Sequence, residues 1–134
     1  MSPDSTEQVA REAFMRVWQG DLSMIADDYV DHNLPPGLPA GRDGLDALHK
    51  LTLGGFPDFQ VTIEQLLSDG DMAALRITNR GTNTGSFMGN PPTGKEATWT
   101  TMAIFRVANG KLAERWGVID ALSLFRQLGL RPPL

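Results

Sequence analysis

Cysteine is absent from the 134 residues, so the chain has no disulfide framework, no thiolate nucleophile and no cysteine-ligated metal. Histidine is scarce. His32 and His49 are the only two, with neither HxxxH nor HExxH spacing, so no metal is expected. No apolar run approaches the ~20 residues of a membrane span. The opening stretch from Met1 to Glu7 is polar and acidic, the reverse of a signal peptide's charged-then-apolar order, and the expected location is the cytoplasm. A basic cluster is also missing: 12 Lys and Arg are scattered among 16 Asp and Glu, for a net charge of −4. A nucleic-acid partner is therefore not expected, and the acidity reads as solubility.

With 41% hydrophobic and 21% charged residues the chain can build one core, and its length fits one domain over residues 1–134. From Ser5 to Gln19, Val9, Phe14, Val17 and Trp18 recur at helical spacing, with Ser5 or Thr6 as cap and Gly20 as stop. A helical turn through Met24, Ile25 and Ala26 then leads to Asp31-His32-Asn33 and a Pro/Gly loop. A third helix covers Arg42 to Leu53. From Asp58 the period changes to two. Strands run from Phe59 to Leu66, Met72 to Gly85, Glu96 to Ala108 and Lys111 to Ile119, before a last helix from Ala121 to Leu128. Helices first and a meander afterwards predict an α+β roll, with a curved antiparallel sheet wrapped over the N-terminal helices around an apolar pocket.

Asn109-Gly110 marks a two-residue hairpin turn. Continued regularly from Ala108 opposite Lys111, the register pairs Phe105 with Glu114, Ala103 with Trp116, Thr101 with Val118 and Trp99 with Asp120. Trp99, Thr101, Trp116 and Asp120 then share one face and look into the pocket with the helical Phe14 and Trp18. These aromatic and hydroxyl side chains are the expected substrate contacts. The opposite face, with Met102, Ile104 and Ile119, is apolar enough to predict a homodimer packed sheet to sheet.

Asp120 is the leading candidate for chemistry. Apolar surroundings disfavour a carboxylate's charged form and raise its pKa, making it a stronger base. The same residue also reads as the N-cap of the last helix. His32 can orient a substrate carbonyl or donate a proton, and can equally bond loop backbone. His49, among Leu45, Leu48 and Thr52, reads as a core or surface histidine. Gly81-Thr82-Asn83-Thr84-Gly85 continues a strand and opens no helix, so it reads as a bulge or strand exit and not as a phosphate loop. Glu114 reads as an ion-pairing position within the sheet.

Asp31-His32-Asn33 is followed by Gly41-Arg42-Asp43-Gly44, then by Gly81 to Gly89 with Pro92-Thr93-Gly94-Lys95. Gly110-Lys111-Leu112-Ala113-Glu114-Arg115-Trp116 comes next, with Asp120 and Gln127-Leu128-Gly129. Together these segments resemble the SnoaL-like polyketide cyclases, or ester cyclases, of the nuclear-transport-factor-like superfamily. The resemblance runs from Phe14 to Leu130 and implies a cone of bent sheet and helices. It implies a metal-free, cofactor-free intramolecular aldol condensation that closes the last ring of an anthracycline-type polyketide. The carboxylate of Asp120 then removes a C–H proton between two carbonyls, and the pocket holds the enolate near the ketone it attacks. Asn83 stands where many members have a histidine. Thr101 and Ala103 stand where characterised cyclases carry polar partners, so the resemblance assigns no group to the enolate. An isomerase or epoxide hydrolase is the other enzymatic reading, and a non-catalytic binding or dimerisation module is the reading from another class.

Overall fold

The computed structural model describes residues 3–132; Met1 and Ser2 of the polar N-terminal stretch lie outside the described residues, as do residues 133 and 134. Helix α1 spans Pro3–Val17. Ala10, Ala13 and Val17 fall on one stripe and are buried, and the small alanines let the helix lie close to the sheet. The helix starts before the caps read from the sequence. Ser5 and Thr6 are inside it, and the Thr6 hydroxyl donates to the Gly70 carbonyl at 2.7 Å. Gly20, at φ 83°, turns the chain away.

The segment after Gly20 departs from the expected helical turn. Ile25–Asp31 is not entered by a helical turn but forms strand β1, in which Ile25, Tyr29 and Asp31 are buried. Tyr29 in, Val30 out and Asp31 in is a period of two, and a parallel partner strand supplies the hydrogen bonds that a short helical turn would have made locally. Helix α2 (Arg42–Gly55) follows, then β2 (Gln60–Asp69), β3 (Met72–Thr82), β4 (Glu96–Ala108), β5 (Lys111–Ile119) and helix α3 (Ala121–Leu128). The sheet order is β1-β5-β4-β3-β2. β1 joins β5 in parallel and the remaining pairs are antiparallel. The result is an α+β fold in which the curved sheet holds its core against the helices. Among the described residues no helix is long and apolar enough to cross a membrane.

The β4–β5 hairpin turns where the sequence indicates, with Asn109 at φ 54° and Gly110 at φ 73°, and Ala108 opposes Lys111. The ladder then slips. Val107 faces Leu112 while Arg106 faces Glu114, so Ala113 is the extra residue of a β-bulge. Leu112 and Ala113 are both buried, which a regular strand with only one covered face does not achieve with neighbouring side chains. Beyond the bulge every β5 side chain changes face relative to the regular register. Arg115 lies opposite Phe105, Gly117 opposite Ala103 and Ile119 opposite Thr101, all toward the interior. Trp116 lies opposite Ile104 and Val118 opposite Met102, on the outer face. Trp116 is therefore not a cavity residue and Ile119 is not on the outer face, both contrary to the expectation.

The Gly81–Gly85 segment is a strand exit, since β3 ends at Thr82. Asn83 is buried there and ties the strands to α2. Its amide donates to the Gly55 and Gly85 carbonyls at 3.1 and 2.9 Å, and its oxygen accepts from the Thr93 amide and hydroxyl, both at 2.9 Å. A Cβ on Gly85 would lie 1.8 Å from the Gly54 carbonyl oxygen, whereas one on Gly54 meets nothing within 4 Å. Gly85→Ala is expected to destabilise by about 1–3 kcal/mol, and Gly54→Ala to be neutral or to stabilise by up to about 1 kcal/mol. Thermal unfolding of the two variants checks this, and matching midpoints would contradict the close approach.

Candidate functional site

Helices α1 and α2 and the inner face of the sheet enclose a mostly apolar cavity of about 150 Å³. Phe14, Trp18, Trp99 and Thr101, four of the expected contacts, line it. Leu51, Met88 and Ile119 also line it yet remain 38%, 46% and 49% exposed, which marks its mouth.

A few polar side chains enter this apolar wall. His49 reaches it from α2 with its ring 4.1 Å from the Trp18 ring, and it is buried. On the sheet side, the Asn79 amide donates to the Thr101 hydroxyl at 2.8 Å and to the Trp99 carbonyl at 3.3 Å. Arg115 lies further along the same face. Its Nη1 contacts both oxygens of Asp31, at 3.1 and 3.3 Å, and the Asp31 side chain is fully buried. The Tyr29 hydroxyl donates to Asp31 at 2.8 Å and the Asn33 amide donates at 3.0 Å, so the buried carboxylate is satisfied on several sides. Burial, then the nearby Asp31 charge, pushes the Tyr29 hydroxyl up, so it stays a proton donor. Removing one partner of such a buried ion pair costs about 3–5 kcal/mol.

Three expected site residues lie outside this wall. Asp120 is exposed and caps α3, its Oδ1 accepting from the Ser123 amide at 3.1 Å. The apolar surroundings expected for its carboxylate are absent, although its neighbour Ile119 is at the mouth. His32 lies on the outer side with a side chain 40% exposed, stacked on Trp116 at 5.0 Å and 2.6 Å from the Glu114 carboxylate. Glu114 also accepts from Arg106 of β4 at 2.8 Å, the cross-strand ion pair anticipated for it, and this bond and the His32 contact hold its carboxyl below the usual range. Among the described residues no group of His, Asp and Glu is placed to hold a metal ion.

His49, Asn79, Arg115 and the Tyr29–Asp31 pair were not singled out as site residues by the sequence. His49 had a visible signal, a titratable side chain on the same helical stripe as the buried Leu45. Arg115 and Asp31 had none, because the bulge and the misread β1 hid their faces. Burial pushes the His49 imidazole from 6.5 down to about 4; the Asp46 charge opposes this and Arg115 adds to it. The unfolded chain takes up this proton first, so the stability from a neutral His49 is full above about 6.5 and is lost as pH falls toward about 4. His49→Gln removes this titration, and its melting temperature is expected to fall less than the wild type's across that window. Parallel curves would contradict the buried neutral imidazole.

The SnoaL-like polyketide cyclase family profile matches residues 5–128. No curated protein matches the chain. Among solved structures, TsrD from Streptomyces laurentii superposes with a TM-score of 0.85 at 27% identity, covering 98% of this chain and 99% of that one. AclR from Streptomyces galilaeus, named as a candidate hydroxylase, gives 0.82 at 29% identity over 96% of this chain and 98% of its own. IdmH from Streptomyces antibioticus, named as a candidate polyketide cyclase, gives 0.76 at 34% identity over 97% of this chain and 100% of its own. With the profile spanning nearly the whole α+β domain around this cavity, the chain belongs to the SnoaL-like polyketide cyclase family.

Proposed function

We propose that the cavity binds an apolar, enolisable polyketide ester and that the protein, a cytoplasmic homodimer, closes a ring on it by metal-free, cofactor-free intramolecular aldol condensation. The observation that carries this is the enclosed apolar cavity with its few convergent polar groups, the usual form of a small-molecule site. A space of this size holds about one aromatic ring. One ring of the substrate therefore sits inside, with the carbon between its two carbonyls turned toward the mouth at Leu51, Met88 and Ile119.

Asp120 follows Ile119 at that mouth and enters no ion pair among the described residues. In this reading its carboxylate takes the C–H proton between two carbonyls, and the C–H electron pair becomes the enolate. The enolate carbon attacks the ketone, a C–C bond forms, and the resulting alkoxide takes a proton back. A second reading makes His49 the acceptor, favoured by its place in the cavity wall and its neutral form, which leaves a nitrogen lone pair available. AclR's name points to different chemistry in the same fold, so the reaction is tested directly and not by similarity.

Asp120→Asn is a clean test because Asn caps a helix as well as Asp does. Proton–deuterium exchange at the acidic carbon of ethyl benzoylacetate, followed by NMR, is expected to slow by about 10²–10⁴-fold in this variant. Unchanged exchange in Asp120→Asn with loss in His49→Gln would move the role to His49. Exchange equal in wild type and both variants would leave a binding module.

The proposed dimer uses the outer face, where Leu67, Met102, Ile104, Trp116 and Val118 leave an apolar groove. Val118 is 67% exposed, so Val118→Glu is expected to give monomers in sedimentation experiments without loss of fold. A wild-type monomer at high micromolar concentration would contradict the dimer.

A further inference from the structure

Arg115 is a cation placed in an apolar cavity wall and only partly used by its own ion pair. Asp31 engages Nη1 alone, and Nη2 and Nε have no acceptor among the described residues. Neither nitrogen is among the buried polar atoms left unpaired, and the side chain keeps 12% exposure, so both remain accessible. The space they occupy is made by Gly117. A Cβ there would lie 2.5 Å from Nη2 and 2.7 Å from Cζ, so the guanidinium rests over a residue that has no side chain. Strand β5 puts Arg115 and Gly117 on the same inner face only because of the Ala113 bulge.

The anchoring fixes the direction of the fork. Asp31 is itself held by the Tyr29 hydroxyl, the Asn33 amide and the parallel pairing of Asp31 with Arg115. A preset guanidinium with unspent N–H groups in a low-dielectric space is suited to a developing oxyanion, since it needs no reorganisation when the charge appears. The charged and titratable groups around it are Asp31, the protonated Tyr29 and the neutral His49; among these only Asp31 is an anion, and it is already engaged.

We infer that Arg115 holds the enolate oxygen of a bound 1,3-dicarbonyl, making it the group that stabilises the anion formed by proton removal. This rests on the reading of the cavity as the substrate site. The base gains the C–H proton, the electron pair is delocalised onto the carbonyl oxygen, and that oxygen accepts from the Arg115 fork until the carbon attacks.

The probe is benzoylacetone, a one-ring 1,3-diketone whose enolate has its own ultraviolet absorption and which needs no turnover. Binding is read by tryptophan fluorescence and the bound acidity by a pH titration of that absorption. Bound to wild type, its pKa is expected to drop by about one unit or more, a tenfold or greater gain in enolate at a fixed pH. Arg115→Gln alone strands Asp31, so the paired variant Asp31→Asn/Arg115→Gln is used, and Gly117→Ala displaces the guanidinium while keeping its charge. Both are expected to abolish the drop. In the paired variant the shift should reverse, because an apolar cavity without the cation disfavours an anion. Binding without a drop in the wild type, or the same drop in both variants, would overturn the role of Arg115 and leave the cavity reading standing. No binding of benzoylacetone to the wild type would overturn both.

Discussion

The slip of the β4–β5 ladder at Ala113 decides what the interior contains. Two neighbouring residues of β5, Leu112 and Ala113, are both buried, and the strand accommodates them by giving one residue no cross-strand partner. Everything after that point is displaced by one. Arg115 and Gly117 turn inward and Trp116 and Val118 turn outward. The same slip therefore creates two surfaces at once, a cavity wall carrying a cation and an outer face carrying an exposed tryptophan. In the β1–β5 pairing, which has its own register shift between Ile25 and Val30, Asp31 falls beside Arg115 and can neutralise it.

Electrostatics inside the cavity follow from that alignment. A lone guanidinium in an apolar wall would be costly, and Asp31 offsets the cost while remaining hydrogen-bonded on its other sides. Arg115 in turn helps to keep His49 neutral, in the same direction as burial. Among the described residues the cavity wall thus carries the Arg115–Asp31 pair with the Tyr29 hydroxyl, the neutral His49 imidazole and the Asn79–Thr101 pair, a small polar set in an apolar space. Such a set can bind a carbonyl compound and respond to charge forming on it.

Much of the fold was legible. The stripe of α1, the period-two strands, the Asn109-Gly110 turn and the Gly20 stop (φ 83°) all act locally, and each leaves its mark in the sequence. Phe14, Trp18, Trp99 and Thr101 were placed in the pocket because helix and strand periodicity alone assign their faces. Trp116 was misplaced because a bulge is a tertiary decision: nothing in Leu112-Ala113 says which residue will lose its partner. β1 was misread because its partner is β5, distant in sequence, and a parallel pairing at that separation has no turn to announce it. Asp120 was expected inside on the strength of the same regular register, and is found at the helix N-cap, the other role its position allowed.

The proposed function makes the interior cavity, and not the outer groove at Met102, Ile104, Trp116 and Val118, the place where a carbonyl ligand is recognised. A crystal structure of the protein soaked with ethyl benzoylacetate measures this most directly. Density for the ester is expected between Trp99, Thr101 and Arg115, with a carbonyl oxygen within hydrogen-bonding distance of the guanidinium. Density confined to the outer groove beside Trp116, with the interior unchanged, would contradict it.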